Sequence, residues 1–162
     1  MLEVRDITKI YNPGTLTEQR LFEHFSLTVD EGQFVAIVGG TGTGKSTLVN
    51  LIPRFYDATE GQVLVDGVDV REYDQRSLRN KIGYVSQKAT LFTGTIASNV
   101  AYGDNGEAPP SPADVQAAVA TAQAEDLVTH LEGGYEGYVA QGGANLSGGQ
   151  KQRLSIARAI AR

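Results

Sequence analysis

Apolar and polar positions alternate near the start of the chain, at Leu2 and Val4 and again at Phe25, Leu27 and Val29. That period of two predicts strands with one buried face. Pro13-Gly14 and Asp30-Glu31-Gly32 read as turns around them. The pattern then changes. Phe34-Val35-Ala36-Ile37-Val38 is a continuous apolar run, which predicts a strand buried on both faces of a parallel sheet. From Lys45 to Ile52 the apolar positions are Leu48, Leu51 and Ile52, and Pro53 ends the run, so this segment predicts a helix. Gln62–Val65 and Val68–Val70 flank Asp66-Gly67, a two-residue hairpin signal. A short helix over Ser77–Lys81 and a strand over Ile82–Ser86 complete this half.

Beyond residue 88 the pattern turns helical. Thr95–Ala101 predicts one short helix, and Gly103–Pro110 an exposed Gly/Pro-rich loop. Ser111-Pro112-Ala113-Asp114 supplies a capping serine, proline at the first helical position and an acid at the third. Val115, Ala118, Val119 and Ala122 then form one apolar stripe, a core-packing face. A last helix begins at Ser147 and carries Leu154, Ala157, Ile160 and Ala161.

Composition narrows the classes of function. Of 162 residues, 41% are hydrophobic and 20% charged, the balance of an ordinary globular domain with a core of its own. Cysteine is absent, which excludes disulfides and thiolate metal sites. No apolar stretch is long enough to span a membrane, and no charged start leads into an apolar run as in a signal peptide. A net charge of −5 argues against a sequence-independent grip on nucleic acid, which needs a basic face. The two histidines, His24 and His130, are far apart and lack an evident carboxylate pattern, so solvated rather than catalytic roles are expected of them.

The chemistry concentrates where the apolar run meets the predicted helix. Gly39-Gly40-Thr41-Gly42-Thr43-Gly44-Lys45-Ser46 has the spacing G-x-x-x-x-G-K-[ST] of a phosphate-binding loop. Its glycines let the backbone curl so that successive N–H groups face phosphate oxygens. Lys45 offers a point charge to the terminal phosphates, and the Ser46 hydroxyl a ligand for Mg²⁺. A helix starting at the loop adds its dipole to the anion site. A second segment, Leu146-Ser147-Gly148-Gly149-Gln150, places Ser147 as an N-cap and Gln150 as its capping-box partner. Gly148 and Gly149 there leave N–H groups at the positive end of the final helix. Taken alone, that segment reads as an ordinary capped helix.

A phosphate-binding loop followed by Leu-Ser-Gly-Gly-Gln resembles the nucleotide-binding domain of ATP-binding cassette (ABC) transporters, and the likeness spans essentially the whole chain. It implies an α/β fold: a P-loop NTPase (RecA-like) core fragment with an antiparallel β-subdomain and an α-helical signature subdomain, divided as residues 1–87 and 88–162. It further implies that Tyr11 stacks on adenine and that Gly39 to Thr47 bind ATP with Mg²⁺. Gln87 would reach the metal as the Q-loop glutamine. Ser147, Gly148, Gly149 and Gln150 would close over ATP held by a second cassette in a head-to-tail dimer. Leu91-Phe92-Thr93-Gly94-Thr95-Ile96, with Asn99, looks like the exporter branch, in which this stretch faces the transmembrane domains. The implied location is the cytoplasmic face of a membrane.

Two positions depart from that pattern. Tyr138-Val139-Ala140-Gln141-Gly142-Gly143 lies where many exporters carry Gly-Glu-x-Gly, so no charge-mediated contact is expected at Gln141. The family next has a strand ending in Asp-Glu and then a switch histidine, and the chain reaches Arg162 before them. Val63-Leu64-Val65-Asp66 has a similar form, but Asp66-Gly67 reads as a hairpin turn. The expectation is ATP binding without hydrolysis by this chain alone, in a parent that is an ATPase, with Val35, Ile37 and Val85 poorly covered. Competing readings are a soluble ABC ATPase of translation or DNA repair, a non-catalytic ATP-responsive interaction module, and an unrelated P-loop enzyme that would leave Leu146–Gln150 unexplained.

Overall fold

The computed structural model describes residues 1–103 and 108–161, and the centre of the expected Gly103–Pro110 loop, residues 104–107, lies outside them. The chain divides into two compact units, Met1–Ile82 and Gly83–Arg162.

In the first unit, β1 (Leu2–Tyr11), β2 (Gln19–Val29), β3 (Glu60–Val65) and β4 (Val68–Asp69) form an antiparallel sheet in the order β2-β1-β3-β4. α1 (Lys45–Leu51) and α2 (Gln75–Asn80) add Leu48, Leu51 and Leu78 to a core containing Val4, Ile7 and Val63. The hairpin turn forms at Asp66-Gly67, with φ of 51° and 79°. Positive φ at both central residues gives the twist that joins antiparallel strands. α2 is capped by Asp74, whose carboxylate accepts the Ser77 N–H. Asp69 is buried but satisfied: the Arg71 guanidinium donates to it at 2.6 Å and holds its carboxyl below the usual range.

Two expected strands differ from the pattern. Phe34–Val38 and Ile82–Ser86 join no ladder among the described residues. Phe34 is 94% exposed and Val38 88%, while Val35 and Ile37 are 42% and 40% exposed. A run of apolar side chains reports what a segment tends to bury, but a strand also requires a neighbour to take its N–H and C=O groups, and local pattern does not supply one.

The second unit is built around β5 (Gly94–Thr95), α3 (Ile96–Val100), α4 (Pro112–Thr121), α5 (Glu125–His130), β6 (Tyr138–Val139) and α6 (Gly148–Ile160). β5 and β6 pair antiparallel. The core takes Ile96 and Val100 from α3, Val115, Ala118 and Val119 from α4, Leu127 from α5, and Leu154 and Ala157 from α6. The α4 stripe is buried as expected, while Ile160 is 43% exposed. Capping boxes start three of these helices: Thr95 with Ser98, Ser111 with Asp114, and Ser147 with Gln150. No helix among the described residues is long and apolar enough to cross a membrane.

Candidate functional site

Gly44 is the N-cap of α1, in the left-handed region at φ 86°, and no side chain caps this helix. A side chain at 44 is doubly disfavoured. Its Cβ would meet the Phe22 ring at 2.8 Å, and the φ is one that L-residues rarely adopt. The first turn of a helix leaves N–H groups without intrahelical partners. At α2, α3, α4 and α6 a polar side chain accepts one of them, whereas at α1 and α5 none does. Gly39, Gly40, Thr41, Gly42, Thr43 and Ser46 are exposed, and Lys45 and Thr47 half-buried, so these donors face solvent.

Lys45 folds back across the loop. Its Nζ donates to the carbonyls of Gly39, at 2.7 Å, and Gly40, and approaches Thr43 Oγ1 at 3.3 Å. Thr43 Oγ1 in turn donates to the Gly40 carbonyl at 3.0 Å. The ammonium is thereby held over the curl of the loop, where its charge acts on the same volume as the N–H groups. Tyr11, at the end of β1, belongs to the same place: its hydroxyl lies 3.3 Å from Thr47 Oγ1 on α1.

This donor set fits a polyphosphate, combining backbone N–H groups at a positive helix end with a cation above them. It also fits Mg²⁺ carried by phosphate. Among the described residues no three His, Asp or Glu side chains gather into a metal site. The exposed Ser46 hydroxyl in the first turn of α1 is the sort of single ligand that Mg²⁺ takes when substrate oxygens and waters complete its octahedron.

The second unit carries the other expected residues. Ser147 Oγ accepts the Gln150 N–H at 3.3 Å, and Gln150 Oε1 accepts the Ser147 N–H at 2.8 Å. Ser147, Gly148 and Gly149 are exposed, and a Cβ at either glycine would meet nothing within 4 Å. The Ser147 hydroxyl hydrogen stays free to donate outward while its oxygen caps the helix. The approach to Ser147 is braced by Asn145, which accepts the Ala140 N–H at 2.9 Å and donates to the Tyr138 carbonyl at 2.8 Å. Gln87 lies at an exposed bend of this unit, and Gln141 is exposed within a 3₁₀ turn.

A hub that pattern alone did not indicate joins α6 to the segment after Gln87. Asn99, 2% exposed, accepts the Phe92 N–H at 2.8 Å and donates to the carbonyls of Phe92, at 2.8 Å, and Thr95, at 3.0 Å. Arg158 of α6 donates to Asn99 O at 2.7 Å, Asn99 Oδ1 at 3.1 Å and Thr90 O at 2.9 Å. Its guanidinium also lies 5.4 Å from the Phe92 ring centroid and 5.5 Å from that of Tyr102. Burial lowers the Arg158 pKa, but an arginine remains charged across the working range. A basic residue in a last helical turn reads from sequence as a dipole partner, whereas its role as a brace depends on residues 59 and 68 positions away.

His24 is solvent-exposed, the expected setting, and has a carboxylate partner that its sequence neighbours do not indicate. Its Nδ1 lies 2.9 Å from Asp6 Oδ1, and that carboxylate raises its pKa. Both residues have positive φ, 49° at Asp6 and 51° at His24, within the irregular register of β1 and β2. A period-two reading does not foresee such bulges.

Residues 22–162 match the sequence family described as ABC transporter. Over 159 residues, 98% of this chain, the sequence is 46% identical to an ATP-dependent lipid A-core flippase of Aromatoleum aromaticum and 47% identical to one of Pseudomonas putida. Those alignments cover 26% of each relative, so the chain spans about a quarter of the length of the curated relatives it matches. Among solved structures it is similar to a chain of "Structure of a bacterial Atm1-family ABC exporter with ATP bound", with a TM-score of 0.87 and 39% identity over 99% of this chain and 27% of that one. A P-loop NTPase fold of mixed α and β structure, with an antiparallel sheet in its first unit, follows from that likeness, and the chain belongs to the ABC transporter family.

Proposed function

We propose that this chain is the ATP-binding part of an ABC exporter, at the cytoplasmic face of a membrane, where ATP binding and hydrolysis drive transport by the whole protein. The observation that carries the reading is the uncapped start of α1 with Lys45 held over it. The similarity to flippases and to an exporter solved with ATP favours transport over a soluble ABC ATPase or an interaction module.

In this reading, the N–H groups from Gly42 to Ser46 hold the phosphates and Lys45 turns from its carbonyl partners to the terminal ones. Ser46 would hold Mg²⁺, which would supply charge neutralisation to the phosphates. Tyr11 stacks on the adenine. Phosphoryl transfer of this type depends chiefly on positioning and electrostatics. Ser147, Gly148 and Gly149, on the exposed end of α6, close over the ATP of a second copy or a different cassette.

Two expected results follow. Tyr11→Ala weakens ATP binding by about five- to a hundredfold, since base–aromatic stacking is worth roughly 1–3 kcal/mol, whereas Tyr11→Phe keeps the affinity. Titration calorimetry checks this, and equal affinity of the alanine and wild-type chains would remove Tyr11 from the site. Gly148→Asp meets no steric obstacle but sets a carboxylate against the incoming phosphate. It should therefore abolish MgATP-dependent self-association in analytical ultracentrifugation while each chain still binds ATP. Self-association surviving in Gly148→Asp would refute closure by this helix end.

A further inference from the structure

The surroundings of Tyr11 contain more than its contact with Thr47. Lys9 precedes it by two residues on β1, and its Nζ lies 5.0 Å from the Tyr11 ring centroid. The ammonium is tethered, because Nζ donates to the Asp57 carbonyl at 2.7 Å. Asp57 is itself fixed by Arg54, whose Nε donates to its carboxylate at 2.8 Å. Tyr56 stands edge-on to Tyr11, with centroids 6.1 Å apart and an interplanar angle of 83°, and Lys9 Nζ lies 6.0 Å from the Tyr56 centroid. The backbones on either side are also tied: Thr59 N donates to the Thr8 carbonyl at 2.9 Å, and Ile10 N to Thr59 Oγ1 at 3.1 Å.

Resting on the reading of Tyr11 as the base-stacking residue, we propose that Lys9 and Tyr56 are positioning residues that hold the Tyr11 ring ready to stack on a nucleotide base. A cation over an aromatic ring and an edge-to-face pair are both attractive through the ring quadrupole. Together they restrain a ring that would otherwise rotate about two side-chain bonds. A ring ordered in advance spares the ligand that ordering on binding. Lys9 Nζ lies over the Tyr11 ring and Tyr56 stands T-shaped to it, and the partner proposed for the ring is a single planar group. That partner is a base recognised by its π-face, and neither residue is asked to touch the phosphates. Tyr56 is 48% exposed, so its replacement perturbs little of the core.

The test compares ATP with inorganic tripolyphosphate, which engages the loop without a base, by calorimetry on the full chain. Lys9→Met and Tyr56→Ala should each weaken ATP binding by about three- to tenfold and leave tripolyphosphate within about twofold of wild type. Lys9→Arg and Tyr56→Phe, which keep the cation and the ring, should restore ATP affinity. In a Tyr11→Ala background neither Lys9→Met nor Tyr56→Ala should weaken ATP further, because contacts acting through one ring are not additive. Equal weakening of ATP and tripolyphosphate, failure of the conservative variants to restore binding, or unchanged ATP affinity in Lys9→Met and Tyr56→Ala would overturn the proposal. Those results alongside a strong effect of Tyr11→Ala would count against the positioning role alone. A Tyr11→Ala chain that binds ATP like wild type would count against the base-stacking reading beneath it.

Discussion

Replacing Lys45 by alanine is expected to weaken ATP binding by about ten- to a hundredfold, since charge-assisted hydrogen bonds contribute roughly 1.5–3 kcal/mol. The effect has two sources. The substitution removes the charge that faces the terminal phosphates, and it removes the strap that Nζ makes to the carbonyls of Gly39 and Gly40 across the loop. Because α1 has no side-chain cap of its own, nothing else in its first turn replaces that cation. Lys45 belongs to no core cluster, so the variant should fold, and circular dichroism can confirm it. Calorimetric titration with MgATP gives the affinity. Unchanged binding by a folded Lys45→Ala chain would remove the loop from the nucleotide site.

The second large effect is one of stability. Asn99→Ala should destabilise the second unit by about 2–4 kcal/mol, as expected when buried hydrogen-bonding groups lose their partner. The side chain satisfies the Phe92 N–H and the carbonyls of Phe92 and Thr95, and it accepts from the half-buried Arg158. Alanine removes these contacts, and although the Thr95 carbonyl keeps the Ser98 hydroxyl and Arg158 keeps the Asn99 and Thr90 carbonyls, both backbone groups of Phe92 lose the Asn99 amide. The segment Leu91–Ile96 should loosen with it, and with it the attachment of α6 to that segment. Urea unfolding followed by circular dichroism measures the change. A loss below about 0.5 kcal/mol, the range of ordinary surface substitutions, would show that Asn99 braces nothing.

What the sequence made legible was local. The Asp66-Gly67 hairpin, the α4 stripe and the caps at Ser111 and Ser147 each depend on a few neighbouring residues, and each follows from its own chemistry. The cap at Thr95 is subtler, because its partner is Ser98 rather than the Glu or Gln of the usual signature. The features that local pattern does not carry depend on distant partners. The apolar run at Phe34–Val38 shows what it tends to bury but not what pairs with it. His24 meets Asp6 only because both strands bulge, and Arg158 reaches Asn99 and Thr90 across 59 and 68 residues of chain. The candidate site divides the same way. Spacing within Gly39–Ser46 carried the phosphate chemistry, whereas Lys9 and Tyr56 beside Tyr11 are neighbours only in the folded chain.

The central claim is that the start of α1, with Tyr11 beside it, is where a nucleotide binds. Backbone amide shifts of the isotope-labelled chain, followed by NMR as MgATP is added, test this most directly, because N–H groups that take up phosphate oxygens shift strongly. The account predicts saturable shifts centred on the amides of Gly42, Thr43, Gly44, Lys45 and Ser46, with Tyr11 moving in step, and their loss in Lys45→Ala. Amides from Gly42 to Ser46 that stay in place while MgATP saturates the chain elsewhere would contradict it.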